Sequence, residues 1–164
     1  MPDARQQIHD ALLSYCRGID RLRSGDVQAG FHPGATLKGY GAGPMSIEDF
    51  ASYAVKALGD RFVATQHRIS NTRIEFSDDG KTARVETYVE ASHAERAPAD
   101  SDRQRLHVFA GRYIDRCAPD DNGVWRITSR TLRNDWSRVD TITEPMSGNY
   151  VPSGRGDAPD PLWG

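Results

Sequence analysis

The apolar pattern of this chain changes period at Gly59, and that change restricts the possible folds more than any other feature. Before it, apolar residues recur at helical spacing; after it, they alternate. Residues 62–76, 82–94, 104–117 and 123–138 read as four long strands. Ser77-Asp78-Asp79-Gly80 and Asp120-Asp121-Asn122-Gly123 read as tight hairpin turns, each ending in a glycine that accepts positive φ. A polar loop, Glu95 to Arg103, joins the second and third strands. Ahead of the change, Ile8, Leu12, Tyr15, Ile19 and Leu22 trace one helical stripe, and that helix should end near Ser24-Gly25. A short turn around Asp26 to Phe31 follows, stopped by His32-Pro33-Gly34. A short strand is expected at 35–40, then a loop from Gly39 to Pro44. Ser46 should cap a second helix, with Asp49 completing a capping box and Ile47, Phe50, Ala54 and Leu58 on the buried side. The order is helix, short strand, helix and four meandering strands. It predicts an α+β fold in which a curved, cone-shaped antiparallel sheet closes over the N-terminal helices. Residues 141–164 are rich in Gly and Pro, so a domain over 1–140 and a C-terminal tail over 141–164 are expected.

Composition removes several function classes. Lys and Arg total 21 against 23 Asp and Glu, a net charge of -2, so no basic excess draws the chain to nucleic acid or an anionic membrane. No apolar run approaches the roughly 18 residues of a membrane span. Residues 1–7 lack the apolar core of a signal peptide, and a cytoplasmic location is the expectation. Cys16 and Cys117 fit neither a disulfide framework nor a four-ligand zinc site. Gly39-x-Gly41-x-Gly43 lacks the spacing of a dinucleotide fingerprint, and His93-Ala94-Glu95 has no Cys pair to make a zinc deaminase. No metal site is expected.

A few residues carry more chemistry than packing requires. Asp20 borders the buried stripe of the first helix, where an unpaired charge costs several kcal/mol (about 3–5). It is either a helix-end carboxylate bonded to Arg21, Arg23 or the backbone, or half of a functional pair. His67 shares a strand face with Ile69 and Asn71 and is either a satisfied core histidine or a base that needs a carboxylate partner. Arg130, on the last strand with the parity of Leu132, would stabilise a developing oxyanion if it points inward, and would make a surface salt bridge if it does not. Tyr15 lies on the helical stripe with a hydroxyl able to reach a polar point. Tyr88 and Glu90 share one face of the second strand, and Ala83, Val85, Val89 and Ala91 the other; alternation does not say which face is inside.

Gly18-Ile19-Asp20-Arg21, Thr65-Gln66-His67-Arg68-Ile69-Ser70-Asn71, Gly111-Arg112-Tyr113-Ile114-Asp115, Gly123-Val124-Trp125-Arg126-Ile127 and Asn134-Asp135-Trp136 stand in an order similar to the SnoaL-like branch of the nuclear-transport-factor-like superfamily, over roughly residues 3–140. The chain most resembles the subgroup of scytalone dehydratase, hexachlorocyclohexane dehydrochlorinase and bile-acid 7α-dehydratase. The resemblance implies a cystatin-like α+β barrel and a cofactor-free lyase, a homo-oligomer with a trimer favoured over a dimer. It also implies a site in which His67 abstracts a proton, Asp20 orients it, and Arg130 and Tyr15 hold the oxygen on which charge develops. Glu90 and Tyr88 would contact substrate, and Ile69, Phe109, Tyr113 and Leu132 would wall the pocket. Tyr15 stands where the dehydrochlorinase has lysine, which argues against halide elimination. The expected substrate is a small apolar ring compound bearing a hydroxyl, steroid-like or a lignin-derived aromatic, losing water or formaldehyde. An isomerase or cyclase on the same fold, or a non-catalytic binding domain, are the alternatives.

Overall fold

The computed structural model describes residues 3–41, 43–101, 103–143 and 154–163. Three helices, α1 (Ala4–Arg21), α2 (Ser24–Ala29) and α3 (Ile47–Arg61), pack on six strands: β1 (Phe31–Lys38), β2 (Met45–Ser46), β3 (Phe62–Phe76), β4 (Ala83–Glu95), β5 (Gln104–Pro119) and β6 (Trp125–Ile142). The strand order is β2-β1-β6-β5-β4-β3, with β2 and β3 at opposite ends, so the curved sheet stays open rather than closing into a barrel. The long meander is antiparallel as expected, but β1 joins β6 in parallel, with Leu37 opposite Arg130.

The first helix ends earlier than its glycine signal. Leu22 takes the left-handed conformation (φ 56°), and the Arg23 N–H closes on the Gly18 carbonyl at 2.8 Å. A leucine there costs about 1–2 kcal/mol, and packing explains why it is tolerated. A Cβ on Gly18 would lie 2.4 Å from the Val27 nitrogen, so α2 crosses α1 in direct backbone contact. That helix replaces the expected turn at 26–31. His32-Pro33-Gly34 does not stop the chain; it lies inside β1, where Gly34 (φ 71°) sits in an irregular stretch of the register. Ser46 caps α3 as predicted, its Oγ accepting from the Asp49 N–H at 3.1 Å.

Strand β3 changes phase midway. Asn71 is left-handed (φ 47°) and the register slips between Ser70 and Arg73. His67 and Ile69 therefore share a face with Ile74 and Phe76 beyond the bulge, and Asn71 is exposed instead of facing inward with them. On β4, Val85, Thr87, Val89 and Ala91 are buried, which settles that strand's faces: Glu86, Tyr88 and Glu90 point out of the cone. The core lies between this inner sheet face, α1 and α3, with Ile8, Leu12, Tyr15 and Ile19 from α1 and Phe50 and Ala54 from α3. Residues 154–163 return to the body at the C-terminal end of α1, where the Gly156 N–H donates to the Arg21 carbonyl at 2.8 Å.

Candidate active site

Asp20 sits in the last turn of α1, and His67 on β3, the edge strand beside it. An edge strand presents backbone N–H groups with no ladder partner. The N–H of His67 is one of these, and Asp20 Oδ2 accepts it at 2.8 Å while Oδ1 lies 2.7 Å from His67 Nδ1. One carboxylate thus fixes both the backbone and the ring. An ionised carboxylate only accepts, so Nδ1 carries a proton, and in the neutral ring Nε2 is then the nitrogen with the free lone pair. The two side chains are 8% and 14% exposed for His67 and Asp20, and in so dry a place each needs the other.

His67 stands between two spaces. An open groove of about 1060 Å³ lies along the outside of α1, lined by Asp10, Arg17, Asp20, Gln66 and His67 among others. A smaller cavity of about 380 Å³ lies inside the cone, lined by His67, His93, Tyr15, Tyr40, Phe50, Phe109, Tyr113 and Leu132 among others. The inner cavity has the character of a ligand site: aromatic walls with a few converging polar groups. Gly39 lines it too, and a side chain there would strike the Leu132 carbonyl at 2.2 Å.

Opposite the histidines the cavity ends in tyrosines. The Tyr15 and Tyr40 hydroxyls are 3.1 Å apart, and the Tyr15 ring meets Tyr113 edge-on at 5.6 Å. Burial raises the pKa of Tyr15, Tyr40 and Tyr113, so all three remain protonated donors at neutral pH. Behind them lies Arg130, completely buried. Its Nε and Nη2 donate to the two oxygens of Asp115, both at 2.8 Å, and its guanidinium carbon lies 3.9 Å from the Tyr113 ring centre and 4.4 Å from that of Tyr15. Burial works against its charge, but the Asp115 carboxylate outweighs burial and holds the guanidinium protonated. Arg130 Nη1 is buried with no hydrogen-bond partner among the described residues.

The structure brings together Asp20, His67 and Tyr15, with Phe109, Tyr113 and Leu132 as walls. Three expectations change. Arg130 does not line the cavity; it backs the tyrosine rings, because Asp115, the only buried carboxylate among the described residues, lies directly across from it on β5. Tyr88 and Glu90 lie outside the cone: Tyr88 is 44% exposed and Glu90 is paired with Arg68, so neither reaches the cavity. Ile69 packs against the core without lining the cavity.

Two lining residues escape sequence reasoning. His93 faces His67 edge-on at 5.3 Å, and burial, then the neighbouring His67, lowers its pKa to about 4, so it is a neutral imidazole. Its parity with Val89 and Ala91 would have found it, had the Val/Ala face of β4 been assigned to the inside. Tyr40 follows β1 in an irregular segment that carries no periodic signal. Cys16 and Cys117 are both pushed up to about 12, chiefly by burial, which leaves them unreactive thiols. Among the described residues, no three His, Cys, Asp or Glu side chains are grouped to hold a metal, and no helix is long and apolar enough to cross a membrane.

Known structures with this shape include a scytalone dehydratase-like protein of Novosphingobium aromaticivorans (21% identity, TM-score 0.67, 93% of this chain and 95% of that one). A hexachlorocyclohexane dehydrochlorinase, LinA type 2, matches at 18% identity and TM-score 0.72, over 90% of this chain and 95% of that one. A protein of Nostoc punctiforme with a cystatin-like fold matches at 17% identity and TM-score 0.61, over 80% of this chain and 90% of that one. At such identities the likeness establishes the fold alone. No curated protein matches the sequence. The SnoaL-like domain model matches residues 3–131, across both helical and strand halves of the fold, and the chain belongs to the SnoaL-like domain family.

Proposed function

We propose that this protein is a lyase working by general acid–base catalysis on a neutral, hydroxylated apolar ring compound, steroid-like or a lignin-derived aromatic. The observation that carries the reading is the Asp20–His67 pair, bonded at 2.7 Å, with His67 opening on an aromatic cavity that also holds the Tyr15–Tyr40 hydroxyl pair. His67 Nε2 takes a proton from carbon, and Asp20 stabilises the imidazolium that forms. The tyrosine hydroxyls donate to the substrate oxygen on which charge develops, and Arg130 behind their rings adds a fixed positive field. The imidazolium then returns its proton to the departing hydroxyl, so water leaves and an alkene remains. Release of formaldehyde in place of water is the alternative outcome. Among the described residues no Lys, Arg, Asp or Glu lines the cavity, which favours an uncharged substrate.

In this reading residues 1–140 form the catalytic domain and 141–164 an accessory segment, in a cytoplasmic enzyme of aromatic catabolism. We also propose a homo-oligomer, with a trimer favoured. Tyr88, Ile114, Trp136 and Val139 leave large apolar surfaces exposed on β4, β5 and β6, which association would cover.

The test is a panel of hydroxylated steroid-like and aryl-ether compounds, incubated with the protein and with His67→Ala and followed by mass spectrometry. A product lighter by water or by formaldehyde, absent with His67→Ala, is the expected result. Deuterium uptake from heavy water with no loss of mass would instead mark an isomerase. Ligand binding that is indifferent to His67→Ala, with no turnover, would mark a binding domain.

A further inference from the structure

The C-terminal segment ends against the two elements that carry the dyad. Arg155 Nε donates to the Asp20 carbonyl at 3.1 Å, and its Nη1 donates to the Phe62 carbonyl at 2.7 Å. Asp20 belongs to the last turn of α1 and Phe62 is the first residue of β3, so a single guanidinium ties the aspartate's backbone to the strand that holds His67. The last carbonyls of a helix have no partner within it, and a cation there also meets the negative end of the helix dipole. The remaining nitrogen, Nη2, is buried with no hydrogen-bond partner among the described residues, and burial together with Arg21 lowers the pKa of the guanidinium while Asp20 raises it. A separate contact docks the segment further along: Asp160 pairs with Arg21 at 3.0 Å.

We infer that Arg155 is a positioning residue for the dyad: its fork clamps the Asp20 backbone to β3 and thereby holds the Asp20 carboxylate on His67 Nδ1. Without it, the Asp20 carbonyl loses its tie to β3, and the contacts that remain at this turn, from Gly156 and Asp160 to Arg21, do not reach that strand. A clamp acting on a helix's last turn also explains why a guanidinium stands here. Two carbonyls on different elements need two donors held at a fixed angle, which a lysine does not supply. The inference concerns the geometry of the dyad and extends the lyase reading only in its consequence for turnover.

The test uses the full-length protein labelled with nitrogen-15 in histidine, and needs no substrate. In the native protein the His67 Nδ1 proton, held by Asp20 at 2.7 Å, is expected to exchange slowly with water. Arg155→Ala is expected to speed that exchange at least tenfold and to raise the titration midpoint of His93, which faces His67, Asp20, His107 and Arg155 and titrates at about 4. Arg155→Lys keeps the charge but not the fork; it should speed exchange while leaving the His93 midpoint in place. Asp160→Asn loosens the tail but keeps Arg155, and should change neither. Unchanged exchange in Arg155→Ala, or an equal effect from Asp160→Asn, overturns the inference. Should Arg155→Ala not fold, Arg155→Lys decides alone, and unchanged exchange in it overturns the inference. None of these outcomes bears on whether a substrate is found, so the lyase reading stands or falls separately.

Discussion

Asp20 grips His67 twice, through the ring at 2.7 Å and through the backbone N–H at 2.8 Å, so the residue that sets the tautomer also sets the position of the strand. An orienting carboxylate that touched only the imidazole would leave α1 tied to the edge of β3 at this point through a side chain alone. Here the geometry of the proposed dyad and the docking of α1 on the sheet edge are one interaction.

Replacing Asp20 with Asn should therefore harm activity more than stability. An amide can donate to Nδ1 and so favour the wrong tautomer, with an expected loss of about 10³–10⁴ in kcat. The backbone bond to the His67 N–H can be kept by the amide oxygen, so the urea midpoint should move little. Turnover assays and urea unfolding on the same preparation check both halves.

Arg130 and Asp115 form a dry pair, and breaking one side should cost far more than removing both. Arg130→Met alone is expected to destabilise by about 3–5 kcal/mol, because Asp115 is left charged and buried. The double variant Arg130→Met with Asp115→Leu should recover most of that loss. Denaturant unfolding of the two singles and the double closes the cycle.

The buried His93 makes stability depend on pH. Its folded pKa of about 4 lies below the ordinary value near 6.5, so between these values the unfolded chain holds a proton that the native state does not. Stability contributed by this group is present above about pH 6.5 and falls as pH drops towards 4, by up to about 3 kcal/mol. Urea midpoints across this range should show the slope, and His93→Asn should flatten it.

Removing the Tyr15 hydroxyl tests the oxygen-binding end of the cavity. Tyr15→Phe keeps the ring contacts with Phe31, Phe50 and Tyr113 and loses only the bond to Tyr40. A stability loss of about 1 kcal/mol is expected. If Tyr15 holds the developing oxyanion, kcat should fall by about 10²–10³ with KM nearly unchanged.

The exposed apolar residues on the outer sheet face predict association. Trp136→Lys, at a residue 47% exposed, should leave the fold intact and shift the oligomer towards monomer in sedimentation velocity.

Local pattern determined the main elements of this protein, though not α2, β2 or the start of β1. The four long strands, both hairpin turns and the stripes of α1 and α3 are written in spacing that needs no distant partner. The pairing of Asp20 with His67 was legible only through the family resemblance; by themselves the residues left Asp20 a helix-end carboxylate and His67 a satisfied core histidine as open readings, and the structure bonds the two at 2.7 Å. Tertiary structure decided the rest. Alternation gives a strand two faces but does not say which is inside; only the packing of α1 and α3 against β4 turned Tyr88 and Glu90 out and His93 in. The bulge at Asn71 and the left-handed Leu22 go against local preference and persist because neighbouring elements leave no other path. Arg130 was expected to point inward at the substrate oxygen; it is buried, yet it backs the tyrosine rings because its partner is Asp115 across the β5–β6 ladder, a neighbour 15 residues away in the chain. Burial, register and charge balance are sums over distant residues, which is why they emerge only when the chain is folded.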